Sequence, residues 1–153
     1  MSINLNANTQ KLYDRDFVEW CEVTVSQLKA KKFESLDIDN LIEEIAGLAN
    51  GDKRELKNRL TVLLAHILKR VYLDSPQNFR GWELTIREQR RQIQNILTDS
   101  PSLQSYLEDI LETVYQDALE DVCFEYQQTE FHDFGELDLG FNNLLFKKYW
   151  EAE

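Results

Sequence analysis

Apolar residues recur at intervals close to 3.6 residues along almost the whole chain, and few residues interrupt this repeat. Only 5 glycines and 2 prolines occur in 153 residues. A repeat of this period places the apolar side chains on one face of an α-helix, and few breakers leave the helices long. The sequence therefore predicts an all-α fold, an antiparallel bundle of five to six helices with short connections.

Capping and turn residues divide this repeat into six predicted helices. Asp37 and Ser100–Pro101 are typical of helix starts, whereas Asn50–Gly51 and residues 74–81 are typical of interruptions. The resulting helices are residues 9–32, 38–50, 52–73, 82–97, 101–127 and 141–150. The repeat predicts a core-facing stripe over residues 56–71 of the third helix, and another on the second helix, formed by Ile38, Leu41, Ile42, Ile45, Leu48 and Ala49.

The length and composition favour one globular domain. Apolar residues make up 42% of the chain and aromatic residues 11%. No apolar run approaches the roughly 20 residues that span a bilayer, and the N-terminus lacks the features of a signal peptide, so we expect a cytoplasmic protein without membrane association. Cys21 and Cys123 are predicted to be ordinary buried or half-buried thiols. The predicted organisation is one domain over 1–153, with a flexible tail over 1–9 and an irregular cover with a short helix over 129–153.

The net charge of −11 is unevenly distributed along the sequence. Residues 1–51 have 5 basic and 9 acidic side chains, net −4; residues 52–97 have 10 and 5, net +5; residues 98–153 have 2 and 14, net −12. A basic middle between acidic flanks indicates self-complementarity, within the fold or across a homodimer.

Five motifs in order along the chain resemble a bacterial helical family catalogued as domain of unknown function number twenty-nine. The motifs are Tyr13-x-x-Asp16-Phe17-x-x-Trp20, Leu36-Asp37-x-x-Asn40-Leu41-Ile42-Glu43-Glu44-Ile45, Leu63-Leu64-Ala65-His66-x-Leu68-Lys69, Trp82-x-x-Thr85-Ile86-Arg87-x-x-Arg90 and Pro101-Ser102-Leu103. The similarity covers residues 13–127, and residues 131–135 depart from the family pattern. The resemblance implies a small soluble helical protein and transfers no activity and no catalytic residue.

Three ionisable residues lie at the margins of apolar stripes on successive predicted helices: Glu44, His66 and Arg90. Burying such groups costs several kcal/mol unless they find partners. We therefore predict a structural polar network, with Asp37 as a helix cap, a Glu44–Arg90 ion pair and His66 bonded to either member. Glu43, by contrast, falls on the solvent side. This interpretation favours a non-catalytic interaction or regulatory protein, either a homo-oligomer or bound to a protein partner, with no cofactor.

The first alternative is a metal-dependent hydrolase of a phosphorylated or nucleotide substrate. Asp37 and Glu44 would be oxygen ligands, His66 a third ligand or general base, and an anion would be held by Arg87 or Arg90. A carboxylate box of this kind needs a second acidic pair, yet position 47 is Gly. Asp117, Asp121 and Glu125 could supply that pair, although solvated or salt-bridged surface charges are the simpler interpretation.

The second alternative is nucleic-acid binding through the basic side chains of residues 53–91. These residues spread around two predicted helices, and no recognised nucleic-acid motif accompanies them. The overall negative charge also repels a polyanion at long range.

Overall fold

The computed structural model describes residues 5–151, which form six α-helices and a short 3-10 helix at Phe33–Ser35, without a strand among these residues. The α-helices are α1 Leu5–Arg15, α2 Phe17–Lys29, α3 Ile38–Tyr72, α4 Pro76–Asp99, α5 Leu103–Glu125 and α6 Phe141–Phe146. The predicted all-α fold is confirmed. None of the helices in this part of the chain combines the length and the apolar character needed to cross a membrane.

The chain divides into two compact units, residues 1–51 and residues 52–153, called unit 1 and unit 2 below. Unit 1 contains α1, α2, the 3-10 helix and the first part of α3. Unit 2 contains the remainder of α3 and the helices α4 to α6.

The first predicted helix is two helices in the structure, because Asp16 interrupts it. Asp16 has an extended backbone (φ −150°, ψ 94°), and its carboxylate accepts the backbone N–H of Glu19, at 3.0 Å. An aspartate that bonds to nearby backbone in this way favours a helix start over a helix interior. α1 begins at Leu5 and includes buried Thr9; residues 1–4 of the predicted tail lie outside the described residues.

The break predicted at Asn50–Gly51 is wrong, because α3 continues through it. Gly51 is helical, and among residues 5–151 the glycine with a positive φ is Gly135. A glycine inside a helix costs about 1 kcal/mol relative to alanine but keeps its backbone hydrogen bonds. The helix-forming residues on either side of Gly51 are therefore sufficient to carry the helix through.

The core of unit 2 is formed by apolar side chains from all four of its helices. Those with less than 2% exposure include Leu56, Leu60, Leu63, Leu64, Ile67, Leu68, Ile86, Ile93, Leu107, Val114, Ala118, Val122 and Leu144. Most of them are the residues that the 3.6-residue repeat predicts as core-facing.

Several helix ends in unit 2 differ from the sequence-based expectation. The helix start predicted at Ser100–Pro101 is wrong, because Ser100 ends α4 and α5 begins at Leu103 after a turn at residues 101–102. α4 begins at Pro76 rather than at Trp82, since proline fits the first turn of a helix, where its missing N–H needs no partner. α6 ends at Phe146 rather than at Trp150. Residues 126–140 contain no helix, and the Tyr115 hydroxyl attaches this segment to α5 by donating to the His132 carbonyl at 2.5 Å.

Candidate functional site

Asp37 caps the start of α3, as predicted, and it is fully buried. Its carboxylate accepts the indole N–H of Trp20 at 3.1 Å and the side-chain amide of Asn40 at 2.7 Å. The backbone N–H of Asn40 lies 3.4 Å from the other oxygen. These N–H donors engage both carboxylate oxygens, so the residue holds the start of α3 to α2 inside unit 1.

Glu44 is half-buried on α3 and accepts a hydrogen bond of 2.5 Å from the hydroxyl of Tyr13 on α1. This hydrogen bond, with a smaller contribution from burial, raises the pKa of Tyr13 to about 12. The Tyr13 ring packs edge-on against Trp20, with ring centroids 5.0 Å apart. Glu44 is thus part of the packing of unit 1.

His66 is half-buried on α3 in unit 2, and its Nδ1 lies 2.8 Å from the Val62 carbonyl one turn earlier. A carbonyl only accepts, so this nitrogen carries a proton. Burial lowers the pKa of His66, and the bond to Val62 acts in the opposite direction.

Arg90 is buried on α4, and its partners are backbone carbonyls at the end of α6. Its Nε donates to Leu144 at 2.9 Å, and its terminal nitrogen donates to Lys147 at 2.7 Å, with Asn143 at 3.4 Å. The last carbonyls of a helix have no partner within it, and a cation also complements their partial negative charge. Burial lowers the pKa of this guanidinium.

Within each unit, the three residues of the predicted polar network have local partners. Glu44 bonds within unit 1, and His66 and Arg90, both in unit 2, bond to different backbone carbonyls. Residues 5–151 contain no group of three or more His, Cys, Asp or Glu side chains that could hold a metal ion. The sequence marks Arg90 as a polar residue at the core margin but does not reveal its partner, which is backbone more than fifty residues later.

The acidic side chains of α5 that could have supplied a second ligand pair lie at the surface. Asp117 and Asp121 are exposed, and Glu125 forms an ion pair with Lys69 at 3.1 Å. Cys21 is half-buried as predicted, but Cys123 is exposed, which corrects the expectation for that thiol.

The most unusual surface of unit 1 is the apolar face of α3, formed by Ile38, Ile42, Ile45 and Leu48. We call it the α3 apolar face. The sequence predicts these residues as a core-facing stripe, but they are 47%, 59%, 60% and 72% exposed, respectively. Periodicity identifies residues that share a helix face, whereas another surface must cover them before they are buried. The prediction that this stripe lies in the core is wrong for the described chain.

Exposed apolar side chains are concentrated in unit 1. Of fourteen large exposed hydrophobic residues among those described, nine lie between Phe17 and Leu48. Single exposed apolar residues are normal, but a contiguous group of them is typical of an interaction site. The helix segment that carries the α3 apolar face is acidic, because residues 38–51 include Asp39, Glu43 and Glu44 but no lysine or arginine.

Unit 2 contains a groove of about 600 Å³ between α4 and the residues that end α6 and follow it. We call it the basic groove. Its cationic side chains are Arg80, Arg87 and Arg91 from α4 and Lys148 from the C-terminal segment, around buried Arg90. The apolar side chains that line it include Leu84, Phe146 and Trp150.

The cations of the basic groove are only weakly engaged by the protein. Arg91 pairs with Glu88, and Lys148 lies 3.4 Å from Glu151, both as exposed pairs close in sequence. Such pairs contribute only about 0–1 kcal/mol. Arg80 and Arg87 have no hydrogen bond or ion pair with the residues that the structure describes. These four cations are available to an external acidic group.

A family model described as domain of unknown function DUF29 matches residues 12–150, and the chain therefore belongs to this family. No curated protein matches the chain, and no solved structure matches it either.

Proposed function

We propose that this DUF29 protein is a non-catalytic interaction protein of the cytoplasm that acts by self-association, and that the α3 apolar face is buried in the assembly. The supporting observation is the exposure of Ile38, Ile42, Ile45 and Leu48 on one helix face. Burial of a large aliphatic side chain contributes about 1.5–3 kcal/mol when it is complete. A face of four such residues can therefore supply most of the free energy of a specific protein contact.

The positions of the polar residues support a non-catalytic role. A hydrolase using Asp37, Glu44 and His66 would need these side chains to face substrate or metal. Instead, the Asp37 carboxylate is buried against N–H donors, Glu44 accepts from a tyrosine, and His66 donates to a backbone carbonyl. Each side chain already has a structural task in its own unit.

Mass measurement across a range of protein concentrations tests this proposal. We expect the wild-type chain to exceed the monomer mass of 18.1 kDa as concentration rises. Ile42→Gln combined with Ile45→Gln should restore the monomer, since both side chains are exposed and glutamine is a good helix former. Phe124→Gln is the matched control, because Phe124 is 81% exposed on α5 and outside the α3 apolar face.

Sedimentation equilibrium provides the masses, and circular dichroism verifies that the variants keep their helices. A wild-type protein that stays monomeric at all concentrations would refute the proposal. The same conclusion follows if the double variant associates as strongly as the wild type.

A further inference from the structure

We propose that the basic groove of unit 2 is the receiving site for the α3 apolar face of a second copy of this chain. The inference rests on the proposed self-association and identifies the surface against which the face packs. Two surfaces of the same chain support this inference: an apolar helix face with acidic borders, and a groove lined by apolar and basic side chains.

The groove has the chemistry that an acidic amphipathic helix requires. Arg80, Arg87 and Arg91 are separated by seven and four residues and therefore lie along one face of α4. Beside them, Leu84 is 54% exposed and Phe146 is 64% exposed. Buried Arg90 bonds to the carbonyls that end α6 and so fixes the position of Phe146. Cations thus flank an apolar surface that the protein itself leaves uncovered.

A small anion would satisfy only part of this groove. Phosphate or a carboxylate could bind the arginines, but Leu84 and Phe146 would stay in water. A nucleic acid could place bases against the aromatic rings, yet the net charge of −11 opposes its approach. An apolar helix with acidic borders satisfies both features, since apolar anchors at i, i+4 and i+7 are the usual way in which a helix occupies a groove.

The α3 apolar face has this pattern. Ile38, Ile42 and Ile45 stand at i, i+4 and i+7. Glu43 lies on the opposite side of the helix, and the two borders of the face are occupied by Asp39 and Glu44. Two α3 apolar faces packed on each other would place these carboxylates near their own copies, and residues 38–51 contain no cation to neutralise them. Like charges in an interface cost free energy, whereas opposite charges fix the register and favour association.

Charge reversal on each surface separately tests the inference. The face variant carries Asp39→Lys and Ala46→Lys, two exposed positions seven residues apart at one border of the face, and it leaves Glu44 bonded to Tyr13. The groove variant carries Arg87→Glu and Arg91→Glu. We expect each variant alone to associate at least ~10-fold more weakly than wild type, because its face and groove then carry the same sign of charge.

An equimolar mixture of the two variants is the decisive sample. The lysine face of one variant then meets the glutamate groove of the other, and the unchanged acidic face of the second meets the unchanged basic groove of the first. We expect association to recover, with both chains in one complex by native mass spectrometry. Arg54→Glu with Lys57→Glu is the control for a general charge effect, since it changes the net charge equally outside the groove and should not alter the association.

The outcomes separate this inference from the proposed function. Loss of association in the Ile42→Gln/Ile45→Gln variant, with normal association of the groove variant, overturns the groove assignment and leaves self-association intact. A mixture that does not recover overturns it as well. A wild-type chain that stays monomeric at all protein concentrations refutes both proposals. Binding of single-stranded RNA that depends on Arg87 and Arg91, without any effect of these residues on self-association, would assign the groove to nucleic acid instead.

Discussion

Arg90 shows how a buried charge is accommodated in this fold. Only 8% of the residue is exposed, and its guanidinium spans the carbonyls of Leu144 and Lys147 at the end of α6. Arg90→Ala would leave these carbonyls without their charged donor. Hydrogen bonds to charged groups contribute about 1.5–3 kcal/mol each and Arg90 makes two short ones, so we expect a loss of about 3 kcal/mol or more in the free energy of unfolding, measured by urea denaturation. Arg91→Ala, an exposed neighbour, should cost less than about 1 kcal/mol; equal losses in the two variants would contradict the role given to Arg90.

His66 makes stability depend on pH with a definite sign. Burial lowers its pKa below the ordinary value of 6.5, so the unfolded chain binds a proton at higher pH than the folded chain. The stabilisation is therefore complete above pH 6.5 and is lost as pH falls through the folded pKa. We expect urea midpoints between pH 5 and pH 8 to fall on acidification, and His66→Gln to remove part of that fall. His132→Gln is the control at an exposed position, and an unchanged pH profile in His66→Gln would refute the prediction.

Gly51 and Gly135 should respond oppositely to replacement by alanine, because Gly51 lies inside α3 whereas Gly135 has a positive φ. Gly51 is helical with nothing within 4 Å of an added Cβ, whereas Gly135 has a φ of +104°. Gly51→Ala should therefore stabilise the protein by about 0.5–1 kcal/mol, and Gly135→Ala should destabilise it by about 1 kcal/mol or more. Thermal unfolding of both variants checks the signs. Destabilisation by Gly51→Ala would mean that the helix ends at this glycine, as the sequence alone suggested.

At the level of elements, sequence patterns predict which residues form helices better than where the helices end. The repeat over 56–71 correctly predicts a buried stripe, and the Asp37 cap is present. However, a helix ends before Asp16 but continues through Gly51, although both residues are plausible helix breakers. A helix ends only where a local cap is more stable than continued backbone hydrogen bonding. The stripe at 38–48 is a real helix face, but its burial depends on a covering surface that periodicity does not specify. Likewise, the repeat predicts that Arg90 lies at the margin of the core, but it does not predict that its partners are backbone carbonyls near the end of α6.

At the level of the whole molecule, the charge pattern becomes meaningful once it is combined with the exposed apolar residues. A net charge of −11 with a basic middle segment predicts only that opposite charges will meet somewhere. The structure places basic residues around Leu84 and Phe146 in unit 2, and acidic residues beside the α3 apolar face in unit 1. This distribution supports the proposed association between copies, and raising the salt concentration should weaken the charge-dependent part of that association.

Alkaline pH should destabilise both units, since each contains tyrosines that retain their protons. The hydrogen bond to Glu44 raises the pKa of Tyr13 to about 12, and burial raises those of Tyr115 and Tyr149 to about 12. A raised folded pKa means that the stabilisation is complete below the ordinary value of 10 and is lost as pH rises through about 12. In unit 2, Tyr115 and Tyr149 donate to the carbonyls of His132 and Asp138, and ionised hydroxyls cannot donate.

We therefore expect the free energy of unfolding to decline between pH 10 and pH 12. Tyrosinate absorbance should appear at a higher pH in the folded protein than in the protein unfolded in urea. Tyr115→Phe is the informative variant: it should be less stable than wild type at pH 8, because the His132 carbonyl loses its donor, and its stability should fall less steeply above pH 10. Equal steepness in the two proteins would show that Tyr115 ionises as readily when folded as when unfolded. The attachment of residues 126–140 to α5 would then depend on the apolar contacts of Phe131 and Leu137 with the core.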